Sequence, residues 1–220
     1  MSAALTLAID ASTYRGTVAV LSADRVLTTA EVAMRGEREE RLMPAVAAAL
    51  GEAGFSVHDL SRVVCGGGPG SFTSLRIGVA IAKGICTAAQ RPLAAVSSLA
   101  LLVAGAERPM SDGRYVAVLD AMRGDVHAAV IESHGGIVVS IAASQLLPRA
   151  AVAALAARHG AKVVGAGESI DAAPRARGVA RVAPTLVEIV SLESWEPAYG
   201  RLAEAQVKWE AAHGRSLATG

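Results

Sequence analysis

The chain has 220 residues, 52% of them hydrophobic, and its 21 lysine and arginine residues against 20 aspartate and glutamate residues leave a net charge of +1. This length suits one large domain or two small ones with well-buried cores. The near-neutral charge argues against an autonomous nucleic-acid-binding protein, which would carry a basic excess on one face. Any nucleic-acid role is therefore expected to depend on a partner.

Alternating apolar residues predict a three-stranded β-meander at the N-terminus, followed by a helix with acidic residues at its start and Pro44 in its first turn or at a kink. Glycines end that helix near residue 51 or 54. The elements predicted for the first half are strands Leu5–Asp10, Thr17–Leu21, Val26–Val32, Arg62–Cys65 and Leu93–Val96, and helices Glu37–Leu50, Thr73–Ala89 and Ser97–Gly105.

The opening pattern recurs after a predicted linker, Arg108–Gly113, and an aspartate ends the first strand each time, at Asp10 and Asp120. This repeat predicts two similar lobes of mixed α/β type, which form domains 1–107 and 112–220. The second ends in a polar tail from Pro197. Its predicted elements are strands Tyr115–Asp120, Val126–Ile131, Ile137–Ile141 and Lys162–Val164, and helices Pro148–His159 and Pro184–Ser191.

A glycine loop, Gly66–Gly70, separates a β-branched strand from a helix. A helix N-terminus presents unpaired N–H groups and a positive dipole end, and glycine permits close approach, so this turn can hold an anion or meet another backbone segment. No lysine follows Gly70, so the spacing is not that of a P-loop, nor is it a dinucleotide-binding fingerprint. Both readings of the loop stay open.

The two cysteines, Cys65 and Cys86, stand in apolar surroundings and are interpreted as reduced core residues. The N-terminus enters a strand without a basic leader and cleavage site, and no uncharged run approaches the ~18 residues of a membrane span. We therefore expect a cytoplasmic protein that does not cross a membrane.

Duplicated lobes with an aspartate and hydroxyls after the first strand resemble the superfamily of actin, sugar kinases and the Hsp70 nucleotide domain. Four motifs carry a closer resemblance, and together they span nearly the whole chain: Ile9–Thr13, Gly68–Gly78, Asp120–Val126 and Tyr199–Glu210. These motifs are similar to those of the TsaB (YeaZ) family. The chain departs mildly from the family at Ser74, usually glycine, and at Asp125, usually glutamate.

The resemblance implies an α/β actin-like ATPase (ASKHA) fold of two lobes, each with a mixed sheet flanked by helices. It also implies a non-catalytic scaffold subunit in making the threonylcarbamoyladenosine beside the anticodon of tRNA. Such a subunit binds and activates its paralogue TsaD, with the ATPase TsaE joining the pair. It forms a homodimer when TsaD is absent and contacts tRNA only indirectly. The alternative is an autonomous ATP-binding, kinase-like enzyme of the actin superfamily.

Catalytic and metal-binding residues are not predicted. The chain has five histidines, and no two are spaced i, i+4 on a predicted helix, so a metallopeptidase is not favoured. Ser71 lacks the pattern of a nucleophile elbow. No cofactor is expected beyond weak or vestigial nucleotide binding at degenerate phosphate-loop positions, which are Asp10, Ser12, Thr13, Gly68 and Gly70.

The helix after the glycine loop carries two apolar stripes, whereas a surface helix needs only one. The second stripe is covered either by the neighbouring helix of this chain or by a partner, which completes a four-helix bundle. The second reading is the one we take forward, with TsaD or a second copy as the partner. The predicted interface residues are Leu42, Met43, Val46, Leu50, Leu75, Arg76, Gly78, Val79, Ile81, Ala82 and Ile85.

Overall fold

The structure is a computed structural model that describes residues 4–35 and 39–199. Glu37, Arg38 and the tail motif beyond Tyr199 lie outside this range. The strands are β1 (Leu5–Asp10), β2 (Arg15–Ser22), β3 (Arg25–Ala33), β4 (Arg62–Gly66), β5 (Leu93–Val96), β6 (Gly113–Asp120), β7 (Asp125–His134), β8 (Ile137–Pro148), β9 (Lys162–Val164) and β10 (Glu188–Val190). The α-helices are α1 (Leu42–Glu52), α2 (Phe72–Ala89), α3 (Ser98–Ala104) and α4 (Val152–His159).

Two mixed sheets form the framework. The first has the order β10-β5-β4-β1-β2-β3, with β1, β2 and β3 as an antiparallel meander and β4 parallel to β1. The second has the order β8-β7-β6-β9, again a meander with a parallel strand beside its first strand. This repeat confirms the predicted two-sheet α/β fold. The division into domains 1–107 and 112–220 stays a prediction, and β10, from beyond residue 112, pairs with β5 in the first sheet.

The helices and the two sheets are arranged in layers, and one helix, α3, packs against both sheets. Helices α1 and α2 pack on one face of the first sheet, α1 over β2 and β3 and α2 over β1 and β4. Helix α3, buried along its whole length, lies between the two sheets, because both inner faces are apolar. Helix α4 covers the outer face of the second sheet. Because helices cover both faces of the first sheet, β1 is buried at every position. A strand buried on both faces has a nearly continuous apolar sequence rather than an alternating one.

Two arginines from a distant segment donate to carbonyls directly after the C-terminus of α3. Arg177 Nε donates to the carbonyl of Gly105 at 2.8 Å, and Arg181 Nη1 donates to that of Ala106 at 2.6 Å. A helix leaves its last carbonyls without internal partners, and cations near that end are favourable. These contacts hold the 3-10 segment Ala176–Arg181 against α3.

Two predicted elements are corrected by the structure. The helix predicted at Pro184–Ser191 is wrong, since a 3-10 turn at Pro184–Leu186 leads into β10. Ile189 and Val190 are β-branched and favour a strand, and β10 pairs antiparallel with β5, which satisfies backbone groups of both strands. The first helix begins at Leu42, and Glu40 lies before it with a carboxylate that accepts hydrogen bonds from the first helical N–H groups.

Helix α2 is the one helix in the described ranges long and apolar enough to cross a membrane by length and composition. Eight of its 18 residues are buried, and they pack against β1 and β4. Such a helix is equally typical of a protein core.

Candidate functional site

Asp10, at the end of β1, is the centre of a buried polar network. Ser12 donates from its hydroxyl (2.7 Å) and its N–H (3.1 Å) to Asp10 Oδ1, and the hydroxyl of Ser98 donates to Oδ2 at 2.6 Å. A Cβ at Gly66 would lie 1.9 Å from Oδ2, so only glycine leaves room for the carboxylate. Both oxygens of the predicted phosphate-loop aspartate are therefore hydrogen-bonded within the chain.

Burial raises the pKa of Asp10 above its ordinary value of 3.8, although the hydrogen bonds from Ser98 and Ser12 oppose the shift. Desolvation penalises the charged carboxylate more than these three donors stabilise it. Within the described residues, the hydrogen bonds to this carboxyl group come from serine hydroxyls and one backbone N–H, and none comes from a cation. The arrangement is that of a structural carboxyl group held by hydroxyls.

The glycine loop meets another backbone segment closely, as one of its two readings predicts. A Cβ at Gly70 would lie 2.0 Å from the carbonyl oxygen of Ser12, and the N–H of Ser71 donates to that oxygen at 2.7 Å. Other N–H groups of the loop also donate inside the chain, Gly67 to the Val96 carbonyl at 2.8 Å and Gly68 to the Ser98 hydroxyl at 3.1 Å. These donors hold the β1–β2 hairpin and α3 in place.

Between the two sheets a cleft of about 1020 Å³ opens beside this hairpin. Three aromatic rings line this cleft. The ring centroids of Phe72 and Tyr199 lie 4.7 Å apart, and the guanidinium of Arg35 lies 3.6 Å from the centroid of the Tyr14 ring. From the second lobe, Asp120 accepts a hydrogen bond from the Met122 N–H at 3.3 Å and so stabilises its own turn. Ser12, Thr13 and Gly70 line the cleft, whereas Asp10 and Gly68 do not.

Most predicted interface residues lie in the core of this chain. In the second apolar stripe of α2, Ile85 is buried in the core on the first sheet, whereas Ile77 and Ile81 are half-buried. Met43 is 39% exposed, Arg76 is exposed and Ile81 is half-buried. The buried ones are Leu42, Val46, Leu50, Leu75, Gly78, Val79, Ala82 and Ile85.

The exposed faces of α1 and α2 instead carry small residues one helical turn apart, here called the small-residue strip. A Cβ at Gly51 or Gly84 would meet no neighbouring element within 4 Å. The sequence indicates part of this strip, since Ala80 and Gly84 are small residues one turn apart that allow a second helix to approach closely, but the predicted interface residues follow the apolar stripes instead. The strip consists of Ala47, Gly51, Ala80, Gly84 and Ala88.

Comparison with known proteins gives a match of residues 31–178 to the family model described as TsaD, tRNA N6-adenosine threonylcarbamoyltransferase. The chain belongs to the TsaD family. Within that family it is similar to proteins named TsaB or YeaZ, which confirms the resemblance found in the sequence.

The alignments with curated TsaB relatives cover only part of this chain and part of each relative. The chain is 34% identical to the Bacillus subtilis TsaB biosynthesis protein over 139 residues, 63% of this chain and 60% of the relative. It is 37% identical to the Escherichia coli TsaB protein over 123 residues, 56% and 53% respectively. The chain thus spans little more than half the length of these relatives.

Solved structures extend the likeness to almost the whole chain. YeaZ from Pseudomonas aeruginosa superposes with a TM-score of 0.73 at 27% identity, covering 89% of this chain and 99% of that chain. A second Pseudomonas aeruginosa structure, described as similar to peptidase YEAZ, gives 0.77 at 29% identity, covering 90% and 100%. The chain therefore has the fold of YeaZ, with two mixed sheets.

Proposed function

We propose that the chain is a non-catalytic subunit of tRNA threonylcarbamoyladenosine biosynthesis that binds and activates a TsaD partner through the small-residue strip. The relatives named for this pathway support the biosynthetic role. The strip is the observation that supports the contact, because α1 and α2, two helices on the same face of the first sheet, both expose alanine and glycine. Small residues let helix backbones approach within the 8–10 Å typical of packed helices.

The polar network supports the non-catalytic part of the proposal. A kinase of the actin superfamily holds phosphates at its first hairpin, and here the carboxylate of Asp10 and the loop donors are engaged by Ser12, Ser98 and Val96. The autonomous kinase alternative is therefore not favoured. We propose that no cofactor is required, that TsaE joins the pair, and that tRNA is reached through TsaD.

The experiment is size-exclusion chromatography with light scattering of the chain mixed with TsaD, repeated for Ala80→Glu. Ala80 is exposed, so glutamate there leaves the monomer folded but buries a charge in the proposed contact. The matched control is Ala154→Glu, an exposed alanine on α4. A stoichiometric complex lost only in Ala80→Glu supports the proposal. Equal binding by both variants excludes this surface, and no complex with the unaltered chain excludes the scaffold role.

A further inference from the structure

Arg76, on the exposed side of α2, is held in place by an aromatic ring of the same helix. Its guanidinium carbon lies 4.7 Å from the centroid of the Phe72 ring, one helical turn earlier. A guanidinium within about 6 Å of a ring centroid is attracted by the electron-rich face of the ring. Because this contact restricts a long side chain, less conformational entropy is lost when Arg76 binds a further group.

The Phe72 ring is itself fixed by a distant part of the chain. The ring centroid of Tyr199 lies 4.7 Å from that of Phe72, with the two planes inclined by 49°. The segment that carries Tyr199 is attached to the glycine loop, since the N–H of Ala198 donates to the carbonyl of Gly67 at 2.8 Å. Tyr199, Phe72 and Arg76 therefore form one stack that ends on the exposed side of α2.

The charge of Arg76 is not matched by a carboxylate on its own helix. α2 carries two cationic side chains, Arg76 and Lys83, and no aspartate or glutamate. Among the ion pairs that join two described residues, none involves Arg76. The exposed side of α2 is therefore complementary to a partner surface that carries a carboxylate.

Arg76 lies in line with the part of the small-residue strip that belongs to α2. Arg76, Ala80 and Gly84 are spaced four residues apart and are all exposed. Residues at this spacing lie above one another on one face of a helix. A partner that packs on the strip thus reaches Arg76 at its end. Arginine binds a carboxylate through two parallel N–H···O hydrogen bonds, which fix geometry as well as charge.

We propose that Arg76 binds a carboxylate of the TsaD partner and determines the specificity of the contact, and that Phe72 and Tyr199 position its guanidinium. This inference rests on the proposed function and adds the chemistry that the partner must present, an acidic side chain beside the small-residue strip. Small residues permit close approach of many helices, whereas a charge pair fixes the alignment and rejects a surface that presents a cation there.

The first test is titration calorimetry of TsaD binding. Arg76→Gln should weaken binding about tenfold or more, and Arg76→Glu should weaken it further because it places a like charge against the carboxylate. Arg76→Lys, which keeps the charge but not the planar fork, should retain part of the affinity. The matched control is Arg158→Glu, which makes the same change in net charge at an exposed arginine on α4 and should leave the affinity unchanged.

The outcomes separate this inference from the function on which it rests. Equal binding by Arg76→Glu and the unaltered chain overturns the inference and leaves the TsaD contact standing. Equal losses in Arg76→Gln and Arg76→Glu also overturn it, since they exclude a role for the charge. Failure of the unaltered chain to bind TsaD overturns both.

The second test is a double-mutant cycle for the positioning role of Tyr199. Tyr199→Ala should weaken TsaD binding about two- to fivefold, and Tyr199→Phe, which keeps the ring, should bind as the unaltered chain does. In an Arg76→Gln background, Tyr199→Ala should have no further effect, because it acts through the guanidinium. A loss of the same size in both backgrounds, or no loss in either, overturns the positioning role. Circular dichroism checks that each variant is folded.

Discussion

The hydroxyl of Ser98 donates a 2.6 Å hydrogen bond to the carboxylate of Asp10, across 88 positions of sequence. The same hydroxyl accepts the N–H of Gly68 at 3.1 Å. One side chain therefore joins the end of β1, the glycine loop and the start of α3. Buried networks of this kind specify a single arrangement when every member is satisfied.

Ser98→Ala is expected to destabilise the protein by about 1–3 kcal/mol, because it leaves Asp10 Oδ2 and the Gly68 N–H without their partner in a buried site. Urea unfolding followed by circular dichroism measures the effect. Ser194→Ala, which removes an exposed hydroxyl, is the control and should change the free energy of unfolding little. Equal stability of the two variants would show that the network does not stabilise the fold.

The raised pKa of Asp10 predicts a pH dependence of definite sign. A raised acid pKa means that the folded state binds the proton more tightly than the unfolded chain, so this contribution to stability is full below the ordinary pKa of 3.8 and is lost as pH rises through the folded value. Asparagine cannot ionise. The free energy of unfolding of the unaltered chain, minus that of Asp10→Asn, should fall as pH rises above about 4. A difference that grows with pH would indicate a carboxylate stabilised by a cation instead.

Gly70→Ala and Gly84→Ala should change stability in opposite directions. At Gly70 the added methyl group would lie 2.0 Å from a backbone oxygen, whereas at Gly84 it meets no neighbouring element. Overpacking is expected to cost about 1–3 kcal/mol in the first case. In the second, alanine should stabilise α2 by up to about 1 kcal/mol through its higher helix propensity. Denaturant midpoints of the two variants, measured side by side, check the prediction, and a neutral Gly70→Ala would contradict the observed backbone packing.

Val79→Glu and Ala80→Glu test the boundary between core and surface on α2. Val79 is 7% exposed within the first core, so a glutamate there should unfold the lone chain or lower its thermal midpoint strongly. Ala80 is exposed, so its glutamate variant should melt close to the unaltered protein. Thermal midpoints of both variants, measured without any partner, show whether each position belongs to the core or to the surface. A stable Val79→Glu monomer would return Val79 to the candidate interface.

The two thiols should resist modification in the folded protein. Burial raises the pKa of Cys86 to about 11 and that of Cys65 higher still. The thiolate is the reactive form, so a thiol reagent at pH 8 should label neither cysteine until denaturant is added. Stopped-flow absorbance with a chromogenic disulfide reagent measures the labelling rate. Rapid labelling of the native chain would contradict the buried positions.

The difference between the predicted interface residues and the residues that the structure leaves exposed has a physical origin. Apolar periodicity shows which faces of α1 and α2 are buried but not what buries them, so Leu42 and Val79 were assigned to a partner when the first sheet covers them. The small-residue strip is what remains exposed once those side chains are packed. Likewise, the sequence left Gly70 open to an anion or a backbone neighbour, and the Ser12 carbonyl now occupies that position.

Local patterns were sufficient to predict the repeated meanders and the glycine turn and to detect the family resemblance, because alternation, turn residues and short motifs extend over only a few positions. Contacts between distant segments required the folded chain. Asp10 meets Ser98, β10 completes the first sheet, and the position of β8 at the edge of the second sheet is known only once the order of the strands is known. Pairing partners and burial depend on which surfaces the whole chain brings together, and no local pattern encodes them.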